Sequence, residues 1–235
     1  MRVSGNYERS TSVLLACGVL AGPLFAIVFS VLGATRADYD LLRHPVSSLA
    51  IGDIGWTQIL NFLVAGLLVM AFAVGMRRVM AAGRGSKWGP RFAGLIAVGL
   101  LGAGVFVADP SNGYPPGTPL IAAEATATGT RHDSLSALVF FGFPAAGIAV
   151  GRWFRARAEP AWASYSIISG VAFLAAFILT SLGLGQVADG AFADIAGLLQ
   201  RITLVVGFTW LTLLAVKLRA VLNVDPPPRD RDHRV

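Results

Sequence analysis

The residue types able to do chemistry in this sequence are few and widely spaced. His44 precedes Ser47, Ser48 and Asp53, while His132 lies between Asp109 and Ser136 with Asp133 beside it. Two imidazoles with one or two carboxylates form a donor set suited to zinc or a similar divalent ion. Such an ion lowers the pKa of bound water and makes it a nucleophile. On this reading His44, Asp109 and His132 are the metal ligands, Asp53 is a weaker fourth, and Ser48 or Ser136 orients water or substrate. The protein would then be a metal-dependent membrane hydrolase of an amphiphilic substrate. Neither a close histidine pair nor a glutamate-bearing metalloprotease motif accompanies these residues. A metal-free version makes Ser48 or Ser136 the nucleophile, His44 or His132 the base, and Asp109 its orienting partner. It has no GxSxG elbow to support it.

Ligand binding needs less from the same residues. His44, Gln58, Asn61, Asp109 and His132 could fix the polar head of a lipid or small amphiphile, for holding or for moving it. Every one of them also has a structural use. Asp109 can terminate a helix, and His132 and Asp133 can satisfy the free N–H groups of a helix start. Ser48 and Ser136 can bond backbone groups, Gln58 and Asn61 can bond across helices, and Arg43 and Arg131 can neutralise the carboxylates. That alternative is a purely structural or interaction protein.

The elements that position these side chains are set by composition. Of 235 residues, 55% are hydrophobic and only 14% charged, and the mean hydropathy is +0.66. The expectation is an all-α polytopic membrane protein, a bundle of about six transmembrane helices. The spans run over Thr11–Leu32, Thr57–Val79, Phe92–Ala108, Ser134–Val150, Ala163–Leu182 and Ile202–Val221. Thr11–Leu32 is too long for the apolar core of a signal peptide and reads as a retained helix, with cleavage near Gly33-Ala34 as the alternative. Residues 1–10 form a cytoplasmic N-terminus, 11–222 the membrane domain, and 223–235, charged and proline-rich, a disordered cytoplasmic tail.

The net charge of +6 follows membrane topology and gives no sign of nucleic acid. Basic residues cluster at Arg2 and Arg9, along Arg77–Arg91, at Arg152–Arg157, and from Lys217 onward. Only Arg36, Arg43, Arg131 and Arg201 fall on the other side. Positively charged connections stay cytoplasmic, so both termini are expected inside, with His44 and His132 outside. Pro45 disfavours a helical His44, so a break there and a short helix near Ser47 are expected. The stretch Gly113–Pro119 reads as an exposed loop, with a stiff lid over the outer opening as the alternative. Cys17 can form no internal disulfide. Gly18-x-x-x-Gly22 and Gly147-x-x-x-Gly151 are small-residue faces that could pack helices within the chain or join two copies.

The segments YDLLRHPVSSLAIGDIGWTQILNF, FVADP and GTRHDSLSA resemble those of the bacterial six-helix integral membrane family catalogued as domain of unknown function 998. The resemblance rests mainly on His44-Pro45, Ser47-Ser48, Gly55-Trp56, Asp109-Pro110 and His132. It implies a multi-pass protein of the bacterial cytoplasmic membrane and carries no reaction. Membrane lipids, a small amphiphile and a second copy of the chain are the partners considered.

Overall fold

The computed structural model describes residues 2–119, 125–184 and 192–224, with side chains over 5–222 of these. Six long helices follow one another: α1 Arg2–Thr35, α2 Trp56–Val79, α3 Trp88–Val105, α4 Ala127–Ala156, α5 Pro160–Leu184 and α6 Ala196–Val224. All six are long and apolar enough to cross a membrane. The shortest, α3, has 18 residues, a rise of about 27 Å against a hydrocarbon core of roughly 30 Å.

Each helix packs on its neighbours in sequence, and α1 also packs on α6, closing the six into a ring. Large apolar side chains point away from that ring, including Ile27, Leu67 and Ile168, each more than 60% exposed. A belt of this kind on every helix is stable only against lipid. The chain is a multi-pass membrane protein.

Inside hydrocarbon, helices associate through close packing, since lipid is as apolar as their side chains. Both small-residue faces serve that purpose within the chain. A Cβ on Gly18 would collide with Phe72 of α2 and Ala215 of α6, and one on Gly22 with Thr212 and the Phe208 carbonyl of α6. Gly147 and Gly151 bring α4 against Ser166, Ala163 and Ile167 of α5. These two faces therefore serve to close the ring.

Phenylalanines fill the middle of the ring. Phe25 of α1 lies 4.8 Å from Phe208 of α6 and 5.6 Å from Phe62 of α2, measured between ring centroids. Phe143 of α4 lies 4.7 Å from Phe173 of α5 and 5.5 Å from Phe208. Between α1 and α2 the segment 36–55 caps one end of the bundle, hereafter the His44 end. It contains a 3-10 turn, Val46–Ala50, started by the extended backbone of Pro45. The opposite end carries the short α2–α3 and α4–α5 connections and the start of α1.

Two boundaries differ from the hydropathy reading in ways that matter for the site. Helix α4 starts at Ala127 rather than near Ser134, because Thr126 caps it by accepting from Gly129 N–H at 3.0 Å. Helix α6 starts at Ala196, so Gln200 and Arg201 are helical and face the 36–55 segment. The expected disordered tail lies outside the described residues from 225 onward, as does Asp189.

Candidate functional site

His44 is buried at the top of the bundle, inside a box of aromatic rings. Its ring centroid is 5.3 Å from that of Tyr39 and 5.1 Å from that of Tyr114, and the two tyrosines are 5.3 Å apart. His44 Nδ1 accepts from the Asp40 N–H at 2.9 Å, and the ring also bonds the Asn112 backbone. Burial holds its pKa below the ordinary histidine value; Asp40 opposes that shift and Arg43 adds to it. A neutral imidazole with both edges engaged is a structural clasp between the 36–55 segment and the α3–α4 connection. It does not reach the interior of the bundle.

Two arginines hold the 36–55 segment by its carbonyls. Arg36 donates to Leu49 and Ile51 at 3.0 and 3.1 Å. Arg201 donates to Leu41 at 2.7 Å and to His44 and Gly197 at 2.9 Å each. A planar guanidinium with several fixed donors suits this gathering of carbonyls better than an ammonium would. Nothing in the linear pattern singled these two arginines out, although both stood apart from the basic clusters.

Asp109 is occupied at the start of α4. Its Oδ2 accepts from the Thr126 N–H at 2.8 Å and its Oδ1 from the Thr126 hydroxyl at 2.6 Å. Gly129 packs so closely on this carboxylate that a Cβ would overlap it. Asp53 is exposed on the 36–55 segment. Gln58 and Asn61 are buried between helices, where Asn61 Nδ2 donates to Gln58 Oε1 and to the Phe25 carbonyl, each at 3.2 Å. Ser48 is 1% exposed and its hydroxyl has no partner among the described residues.

His132 is placed differently. The early start of α4 puts it one turn before Ser136, and both line a cavity of about 590 Å³. The lower wall is apolar, with Phe25, Phe62, Leu100, Phe140, Phe177 and Leu204. The rim is polar, with Ser47, Asp109, Ser111, Asp133, Thr180 and Gln200. His132 Nδ1 lies 2.7 Å from the Phe106 carbonyl. A carbonyl can only accept, so Nδ1 is the donor in this bond and Nε2 is left for another partner. Gln200 uses its Oε1 to accept from the Val46 N–H at 2.6 Å, tying the 3-10 turn to α6 above the cavity. Gln200, Thr180 and the paired rings of Phe140 and Phe177, 4.2 Å apart, escaped the sequence reading because each is ordinary within an apolar helix. A glutamine just ahead of the sixth expected span was the available signal for Gln200.

The metal expectation is corrected here. Among the described residues, no three or more His, Cys, Asp or Glu side chains are grouped so as to hold a metal ion. His44 lies in the aromatic box and His132 in the cavity wall, while both Asp109 oxygens bind Thr126 and Asp53 faces outward. The set His44, Asp109, His132 and Asp53 is therefore no zinc site, and the metal-dependent hydrolase loses its ligands. Arg43 and Arg131 are also elsewhere than expected. Arg43 approaches Asp194 at 3.7 Å, and Arg131 lies over the Phe106 ring.

The model of the family described as protein of unknown function DUF998 matches residues 19–217. The chain belongs to that family. In this DUF998 protein the matched stretch holds the aromatic box, the Asp109–Thr126 cap and all of the described cavity wall. No curated protein and no solved structure matches the chain.

Proposed function

We propose that this DUF998 protein holds one amphiphilic molecule in the cavity at its His44 end, with the polar head at the rim and the apolar part among the phenylalanines below. The observation that carries this reading is the division of the cavity wall into a polar rim and an aromatic floor. Its volume of about 590 Å³ falls within the roughly 300–1,000 Å³ typical of ligand pockets. The phenylalanine packing beneath it supports holding the molecule over passing it through the bundle.

The rim also favours a class of head group. Among the described residues, Asp133 and Asp109 line it and no Lys or Arg does. No Lys or Arg lines the rim to meet an anionic head, whereas a hydroxyl or amine can donate to the Asp133 carboxylate. The reading is therefore of an uncharged or cationic head with hydrogen-bond donors.

The same proposal includes location and orientation. Family membership supports a bacterial cytoplasmic membrane, and the placement of the basic residues supports inward termini with the cavity on the outer side.

The test is the content of the cavity. Ala137 lines it, and Ala137→Phe would fill it with one ring. Organic extracts of purified wild type should contain an amphiphile that extracts of Ala137→Phe lack, while the variant keeps the wild-type thermal midpoint or exceeds it. Equal amounts of every extracted molecule in the two proteins would dismiss the proposal.

A further inference from the structure

A groove at the opposite end of the bundle has the reverse polarity. It lies between the start of α3 and the last turns of α4, with a volume of about 920 Å³. Arg84, from the α2–α3 connection, lines it together with Arg152 and Arg155, which are three positions apart and so neighbours on α4. No Asp or Glu lines it. The three guanidiniums are exposed, and among the described residues none has an ion pair or a hydrogen bond.

Of the other cations at this end, Lys87 is also exposed without an ion pair or hydrogen bond among the described residues but does not line the groove, and several are engaged. Arg91 lies over the Trp88 ring at 5.1 Å, Arg157 over Trp153 at 4.8 Å, and Lys217 is paired with Glu159. Three like charges gathered on one groove repel one another unless an anion is brought to them. Below them the wall is apolar and faces outward from the bundle. Trp88 stacks on Phe92 with centroids 5.6 Å apart, and Trp88 and Ile148 are 55% and 41% exposed. A cationic mouth above an outward apolar wall complements a molecule that is anionic at one end and hydrocarbon along its length. Guanidiniums bind phosphate oxygens by paired charge-assisted hydrogen bonds, and Trp rings settle at the level of lipid head groups.

We infer that this groove binds an anionic phospholipid, its phosphodiester held by Arg84, Arg152 and Arg155 and an acyl chain lying along Phe92 and Ile148. The site is separate from the cavity at the His44 end. It stands or falls without the amphiphile proposed there, whose head would not be anionic.

The experiment uses the full chain in a neutral detergent. Its thermal midpoint is followed while dioleoylphosphatidylglycerol, dioleoylphosphatidylcholine or inorganic phosphate is added. Phosphatidylglycerol should raise the midpoint at lower concentration than phosphatidylcholine does. The double variant Arg152→Gln/Arg155→Gln should weaken that response roughly fivefold per arginine removed. Arg84→Gln tests the third member alone, and Arg131→Gln, at the other end over Phe106, should respond like wild type. Because the substituted side chains are exposed, the lipid-free midpoint should stay at the wild-type value, which checks that each variant is folded. Equal responses to the two lipids would overturn the assignment, as would an unchanged response in folded double and single variants. A shift produced fully by inorganic phosphate, with nothing added by phosphatidylglycerol, would also overturn it, because the ligand would then be a free anion.

Discussion

Arg201 Nη2 donates to the Tyr39 hydroxyl at 2.6 Å, and that hydroxyl lies within 3.0 Å of both the His44 and the Pro45 carbonyl. Through this one pair the first helical turns of α6 hold the segment that caps the bundle and positions Pro45, Val46 and Ser47 on the cavity rim. The last helix thus shapes a site whose other polar residues come from the 36–55 segment, the α3–α4 connection, α4 and α5.

Arg201→Ala should lower stability by at least the roughly 1.5–3 kcal/mol of one hydrogen bond to a charged group, because several carbonyls lose their donor together. Arg201→Lys should recover little, since an ammonium cannot span the Leu41, His44 and Gly197 oxygens and the Tyr39 hydroxyl at once. Thermal midpoints in detergent decide this. A lysine variant as stable as wild type would show that charge alone matters at this position.

Asp109 and Thr126 should behave as one unit. Thr126→Ala removes a helix cap, at a cost of about 1 kcal/mol, and also takes the hydroxyl donor from Asp109 Oδ1, leaving only the backbone N–H on Oδ2. A double-mutant cycle with Asp109→Ala should therefore give a combined loss smaller than the sum of the single losses. Gly129→Ala should be destabilising as well, because its methyl occupies the carboxylate position. Additive losses at Asp109 and Thr126 would mean that the contact contributes nothing.

The aromatic box predicts a stability profile that falls at both ends of the pH range. His44 has a folded pKa below its ordinary 6.5, chiefly through burial. The unfolded chain therefore binds its proton first, and stability present above pH 6.5 is lost as the pH falls through the folded pKa. Tyr39 is pushed up to about 12, chiefly by burial, with Arg201 pulling it down. Its contribution is present below the unfolded value of 10.0 and is lost as the pH rises toward 12. His44→Gln should flatten the acidic limb alone and Tyr39→Phe the alkaline limb alone. Unchanged slopes in both variants would assign the titration to other groups.

Orientation can be read with single cysteines, since Cys17 is the one native thiol and Cys17→Ala removes the background. In intact cells a membrane-impermeant maleimide should label Asp53→Cys and should reach Arg84→Cys only after the membrane is opened. The reverse pattern would place both termini outside and invert the topology proposed from the basic residues.

The chain's own residue pattern determined the class of fold, the number of spans, and the end of the bundle at which its polar residues collect. Each of these follows from local quantities: the length of an apolar run against the bilayer, and the charge beside its ends. That His132 and Ser136 share a helix face was not legible, because the Thr126 cap starts α4 seven residues before the expected Ser134. What only the tertiary structure decided is which polar groups are already satisfied. Asp109 and His132 stand near the same helix start, yet Thr126 saturates the carboxylate while the Phe106 carbonyl leaves the imidazole a free nitrogen inside a cavity. His44 looked equivalent to His132, and packing against Tyr39 and Tyr114 turned it into a clasp. Satisfaction depends on partners far away along the chain, such as Gln200 beside Val46 or Arg201 beside Tyr39, and closure of the six-helix ring is what brings them together.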